Sequence, residues 1–422
     1  MSSGHEAQAV ASPPTSYDSA LRVLASLFFI WGFITVINNT LLPHLRSVFD
    51  LNYTQTTLIE SVWFIAYFVA SIPSAKLIER IGYRPALVTG LLVMAIGALG
   101  MVPAARLPSY GLTLTALFTI AAGIALLQVA ANPYVAVVGS AESAPSRLNY
   151  VQAFNSLGTT LAPLFGGYLI LGRSTSGTAQ NGATLTLAER LADARAVQLP
   201  YLIVAVVLVG LAVLIWRAPL PDLGRHARRG SATERATRSL WRHRNLVLGV
   251  PAIFIYLIAE IGVANLFINF VAQPDIAGLT HEQASRYLFL LWGGMMVGRF
   301  VGSILMRRRR GESVLAVFAM AACLCMLVTA FGHGTFAMWA LILVGAFHSI
   351  MFPTIFTLGI RDLGSLTEEG AGLLIMAIAG GALVVVQGWL ADRFGLQRSF
   401  LLTAACELYV LFYALWGSKV SR

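Results

Sequence analysis

The chain has 422 residues and a mass of 45.4 kDa, with 57% hydrophobic residues, 11% charged residues and a mean hydropathy of +0.74. Ordinary globular proteins carry roughly 25% charged residues, so a soluble enzyme, a nucleic-acid-binding protein and a disordered scaffold are excluded. The net charge of +10 then matters through where lysine and arginine fall along the chain, not as a nucleic-acid signal.

Residues 1–20 are polar and read as a flexible cytoplasmic tail. Apolar stretches long enough to span a bilayer predict helices over 21–45, 58–78, 85–104, 111–139, 148–171 and 198–217. A second set follows over 247–272, 286–306, 313–332, 335–360, 370–391 and 397–417, leaving 418–422 as a short tail. Between the sets, Arg217 to Arg244 holds eight arginines and two acids, so 218–246 reads as a basic cytoplasmic linker between membrane halves 21–217 and 247–417. With both termini cytoplasmic, 21 of the 29 Lys and Arg residues lie inside; Arg46, Arg106, Arg173, Arg190, Arg195, Arg286, Arg393 and Arg398 lie outside. That asymmetry follows the positive-inside rule. Cys323, Cys325 and Cys406 all fall in apolar stretches and read as packing residues, with neither a disulfide framework nor a zinc site.

Asn132-Pro133-Tyr134-Val135-Ala136-Val137-Val138-Gly139 in the fourth span aligns with Phe352-Pro353-Thr354-Ile355-Phe356-Thr357-Leu358-Gly359 in the tenth. With six spans on each side of the linker, this predicts an all-α membrane protein of twelve transmembrane helices in two pseudo-symmetric six-helix bundles.

Polar side chains at membrane depth are costly unless paired or wet, so they point to function. Glu60, Glu260, Glu407 and Arg299 are the charged residues well inside the predicted spans, and Glu260 is the most interior. It is either a structural acid between helices or a carboxyl that takes up and releases a proton as a cavity opens to each side. Trp31, Thr35 and Asn39 share one stripe of span one, Gln128 and Asn132 one stripe of span four, and Gln152 and Asn155 one face of span five. Asn265 and Asn269 in span seven, His348 in span ten and Gln387 in span eleven add further polar groups. Amides beside aromatic rings such as Trp31 and Tyr134 suit a neutral sugar, the amides meeting hydroxyls and the rings covering C–H faces. The alternative is interhelical hydrogen bonding. Charged turns follow span two, with Glu79, Arg80 and Arg84, and span eleven, with Asp392 and Arg393; they read as gating pairs or as solvated caps.

The turn at 75–84 resembles the Gly-x-x-x-Asp-Arg-x-Gly-Arg-Arg pattern of the major facilitator superfamily, with Ala75, Glu79 and Tyr83 departing from it. Phe28-Phe29-Ile30-Trp31-Gly32-Phe33-Ile34-Thr35, Pro43-His44-Leu45, Gln128-Val129-Ala130-Ala131-Asn132-Pro133-Tyr134 and Gln152-Ala153-Phe154-Asn155-Ser156-Leu157-Gly158 resemble the fucose/galactose/glucose:proton symporter family. The similarity is closer to its glucose/galactose or N-acetylglucosamine branch than to fucose permease. It implies the major facilitator fold and a monomeric, multi-pass carrier in the bacterial inner membrane, in contact with lipid and not an enzyme. Such a carrier binds a small neutral sugar between its halves by alternating access, with a proton as coupling ion and no other cofactor. It also implies that Gln152 and Asn155 bind sugar.

Two family carboxyls are amides here, at Asn39 and Gln128. Either coupling has moved to Glu260, or the chain is an uncoupled facilitator, or Asn39 is an engineered neutral mimic of aspartate. A drug/proton antiporter and a non-transporting sugar sensor signalling through the linker are the rival readings.

Overall fold

The computed structural model describes residues 15–49, 53–107, 109–166, 198–218, 220–221 and 239–420; within its helices the side chains of 15–18, 37–49, 53–60, 163–166 and 281–282 are not among those described. The described chain is helical throughout, with α1 Thr15–Phe49, α2 Tyr53–Ile81, α3 Tyr83–Arg106, α4 Tyr110–Val137, α5 Ala144–Gly166 and α6 Gln198–Arg217. After the linker come α7 Arg244–Val271, α8 His281–Leu305, α9 Gly311–Phe331, α10 Gly334–His348, α11 Met351–Gly359, α12 Thr367–Met376, α13 Val384–Phe394 and α14 Leu396–Phe412. Among the described residues eleven helical segments are long and apolar enough to cross a membrane. The 23-residue α5 lies between two of them.

α6 is apolar all round, with Val206 72% and Leu214 51% exposed, as expected of a surface that meets lipid rather than water. Lipid tails offer no hydrophobic drive for one helix to leave them, so packing rests on close approach at small residues. A Cβ on Gly32 in α1 would come within 2.7 Å of the Asn155 side chain in α5, and one on Gly123 in α4 within 2.7 Å of the Met94 backbone in α3. These glycines set the α1–α5 and α3–α4 contacts.

The tenth predicted span is two helices, α10 and α11, parted at Ser349–Ile350. Pro353 has no N–H to give the carbonyl four residues back, which belongs to Ser349. The eleventh span is likewise interrupted by a 3-10 stretch, Ala377–Leu383, between α12 and α13. Pro133, by contrast, is accommodated inside a continuous α4.

The helices before 217 pack among themselves, as do those after 244, and the two sets meet along α5–α8, α5–α11 and α2–α12. Ser146 Oγ donates to the Ser303 carbonyl at 2.7 Å, and Ser303 Oγ returns a bond to the Ser146 carbonyl at 2.9 Å. Asn149 Nδ2 donates to Thr354 Oγ1 at 3.2 Å, and Tyr83 interacts with Glu368. These contacts lie at the start of α5 and α12 and the end of α8. The C-terminal end of α14 belongs to the same side, since Tyr413 donates to the Asn245 carbonyl at 3.0 Å. The halves are therefore closed on the side that carries this chain end, here called the terminal side.

Candidate functional site

Near the middle of the bundle the amides of the first half form two pairs. Gln128 Nε2 on α4 donates to the Tyr67 hydroxyl on α2 at 2.5 Å, and Gln152 Nε2 on α5 reaches Asn132 Oδ1 on α4 at 3.5 Å. Asn132 is fully buried and its Nδ2 has no partner within the protein, leaving a donor for a ligand hydroxyl. Asn155 is half-buried, and its Nδ2 donates to the Phe28 carbonyl of α1 at 2.9 Å. Trp31 packs against Phe28, with ring centroids 5.2 Å apart, and backs this cluster from the core. The Asn39 side chain lies outside the described residues, as does that of Glu60.

Opposite, Asn265 and Asn269 are both exposed on the half of α7 beyond Glu260. Amides at membrane depth avoid lipid.

The two halves meet chemically at Arg299. This arginine is 9% exposed, and its Nε donates at 3.0 Å to the Ser349 carbonyl that Pro353 leaves without a helical partner. From the same side chain, Nη1 donates to the Gln152 carbonyl at 3.3 Å and to the Ser156 hydroxyl, both on α5. Phe154 and Phe300 meet edge to face beside it, 5.8 Å apart. Arg299 also interacts electrostatically with Glu260, which in turn interacts with His348, Glu407 and the Tyr256 hydroxyl. Glu260 is partly exposed, unlike the other acid of this cluster, Glu407. One guanidinium thus joins the acid of the second half to the backbone of the amide helix of the first.

Several residues expected from sequence to bind substrate or to gate take other places. His348 does not line the amide cluster: its Nε2 lies 2.8 Å from Glu407 Oε1, and both side chains are buried. Tyr134 belongs to the packing near the end of α4, its hydroxyl donating to the Pro221 carbonyl at 2.8 Å and its ring 5.6 Å from that of Tyr83. Gln387 is completely buried against Gly262, with neither amide atom partnered in the protein. Asp392 and Arg393 are exposed, and Arg393 sits 5.8 Å over Trp389 of its own helix. Of the other turn, Glu79 is partly buried with an interaction partner, Arg80 is exposed, and Arg84 lies 5.9 Å from the Trp216 ring.

Closure on the terminal side includes the serine and asparagine contacts above and the contact of Tyr83, within that turn, with Glu368. There the Arg361 guanidinium reaches Glu312 at 2.5 Å beside a cleft of about 490 Å³ that includes Arg307, Arg308 and Arg309. That cleft shares no lining residue with the amide cluster. Arg299 and Glu407 were visible in sequence as buried charges. Their partners depend on Pro353 and on which helix faces which.

The geometry separates the two amides of α5. Gln152→Ala leaves the Arg299 bond to its carbonyl in place and removes only the long Nε2 contact to Asn132, so it should weaken sugar binding and lower the unfolding temperature less than Asn155→Ala does. Asn155→Ala also removes the bond to Phe28, worth about 0.5–1.5 kcal/mol, and should lower both affinity and unfolding temperature. Binding isotherms and melting curves on the purified variants test this, and unchanged affinity in both would remove the pair from the site.

The sequence pattern of the Major Facilitator Superfamily matches residues 23–368. The glucose/galactose transporter of Brucella abortus biovar 1 (strain 9-941) is 44% identical over 409 residues, covering 97% of this chain and 96% of that one. The L-fucose-proton symporter of Escherichia coli (strain K12) is 35% identical over 422 residues, covering 97% and 96%. Among solved structures, the crystal structure of the transporter FucP in the outward conformation superposes with a TM-score of 0.87 at 34% identity, covering 96% of this chain and 100% of that chain.

Proposed function

Because the chain belongs to the Major Facilitator Superfamily, we propose that it imports a neutral hexose of the glucose/galactose type together with a proton, by alternating access. It is a transporter and not an enzyme. In this reading the chain works as a monomer in the bacterial inner membrane, with both termini cytoplasmic, lipid as its surroundings and no partner nucleic acid. The proton is the coupling ion, and no other cofactor takes part. The outward cleft admits sugar to Gln128, Asn132, Gln152 and Asn155 on one wall and to Asn265 and Asn269 on the other. Glu260 exchanges its proton with the same cleft.

The observation that carries the reading is Arg299, which bonds the Gln152 carbonyl and Ser156 across the seam while facing Glu260. Protonating Glu260 removes the negative charge that competes for this guanidinium, and sugar at Gln152 moves the helix that the guanidinium holds. Both ligands therefore bias one two-state element, which is what coupling requires.

A second reading, an uncoupled facilitator, is favoured by the amides at Asn39 and Gln128, which stand where the resembling family carries acids. Uptake of labelled glucose, galactose, mannose, fucose and N-acetylglucosamine into proteoliposomes, with and without an inward proton gradient, separates the readings. Gradient-driven accumulation of glucose or galactose is expected. Equilibration that ignores the gradient would make the chain a facilitator, accumulation of N-acetylglucosamine alone would move the substrate class, and binding without uptake would make it a sensor.

A further inference from the structure

We propose that the His348–Glu407 pair is the proton store of the transport cycle, loaded and unloaded through Glu260; this rests on the coupled-transport reading and deepens it. The pair joins α10 to α14 inside the second half, away from the amide cluster. His348 Nε2 and Glu407 Oε1 are 2.8 Å apart and the side chains are 2% and 0% exposed, so neither has direct contact with either side of the membrane. Glu407 Oε2 is buried with no partner. A structural carboxylate is normally satisfied on both oxygens, because a buried unsatisfied polar atom costs about 1–3 kcal/mol or more. An oxygen that takes and releases a proton has to stay free of a fixed donor.

The neighbours of the pair fit this role. α7 presents Glu260 and Tyr256, α8 presents Arg299, α9 presents Cys323, and α14 itself adds Cys406. Tyr256 holds the imidazole in place: its hydroxyl donates to the His348 carbonyl at 3.0 Å, and its ring stands edge-on, 5.6 Å away at 80°. Arg299 is the fixed positive charge of the group. Of the two acids, Glu260 alone is partly exposed, which makes it the port and the sealed pair the store.

The transfer is balanced within the protein. The O–H bond of protonated Glu260 breaks, its proton binds the imidazole–carboxylate pair, and the negative charge returns to Glu260. The restored carboxylate then draws Arg299 away from Ser156 and the Gln152 carbonyl, loosening the seam on the terminal side. While the halves exchange, the stored proton is shielded from both bulk phases.

The test uses the full chain in proteoliposomes with an entrapped pH dye, with glucose and galactose as probes. Glu407→Gln preserves volume and a hydrogen bond to His348 but cannot take up or release a proton, and His348→Gln makes the same change on the other side. Each variant is expected to lose sugar-driven proton uptake at least tenfold and to flatten the pH profile of sugar counterflow, while counterflow itself and the melting temperature persist. A structural pair would tolerate both isosteric changes, so a wild-type proton-to-sugar ratio and pH profile in either folded variant would overturn the proposal. Should Glu407→Gln not fold, His348→Gln carries the same decision. If the unmodified chain shows no sugar-driven proton uptake, the coupled-transport reading fails first. If Glu260→Gln is uncoupled while the pair variants remain coupled, only the role of the pair falls.

Discussion

Glu260→Gln should abolish gradient-driven sugar accumulation and leave sugar exchange running. Glutamine keeps the size of the side chain and can still meet the Tyr256 hydroxyl, but it cannot titrate. The proton is then lost as a driving ion while the path for sugar remains. One pH unit is worth 1.36 kcal/mol, so a one-to-one symporter under that gradient accumulates sugar about tenfold at most, and the variant should only equilibrate it. Counterflow, which needs no gradient, should stay within a small factor of the unmodified rate. Labelled glucose or galactose in proteoliposomes reads both quantities in one preparation. Undiminished accumulation would make Glu260 a structural acid and return the search to other groups.

Arg299→Met should be the most damaging single change away from the amides. The methionine fills much of the space and keeps an unbranched stem, but it leaves the Ser349 carbonyl, the Gln152 carbonyl and the Ser156 hydroxyl without their donor. It also removes the guanidinium that faces Glu260. Removing one partner of a buried charge cluster typically costs about 3–5 kcal/mol, enough here to cut transport by at least about a hundredfold through loss of the closed seam. The seam can be watched directly. In a chain with Cys323, Cys325 and Cys406 replaced by serine, a cysteine at Ser146 should resist thiol reagents applied from the terminal side and react quickly once Arg299→Met is added. Equal protection in both backgrounds would show that Ser303, Thr354 and Glu368 hold the seam without Arg299.

These two expectations rest on parts of the molecule with different histories in the sequence. Glu260 stands out in one dimension as the most interior acid, flanked by long apolar runs. The amide stripes of Gln128 with Asn132 and of Gln152 with Asn155 are equally legible, since the helical period alone places each pair on one face. Arg299 looks in sequence like a cation at the inner end of a span, because nothing in its own helix announces its acceptors. They are created by Pro353, which frees a carbonyl on another helix, and by an approach of α5 that the sequence order does not encode. His348 illustrates the same limit from the other direction. As a lone polar residue in an apolar run it reads as a ligand group, but α14 brings Glu407 against it and takes it out of the sugar site. The repeated charged turn at Asp392 and Arg393 matches a motif in letters, yet it falls at an exposed helix end where Arg393 lies over Trp389 of its own helix.

Legible in one dimension are the properties that add up along a chain. The apolar character of the helices, the arginine content of 217–244 and the resemblance of long segments are sums over neighbouring residues, and local chemistry is enough to read them. Tertiary structure alone decided which halves touch, on which side, and through which guanidinium. In lipid no hydrophobic drive tells one apolar helix face from another, so helix pairing follows from close approach at small residues and from satisfying buried polar groups in three dimensions. Gly32 against Asn155, the break before Pro353 and the bonds of Arg299 are all settled at that level.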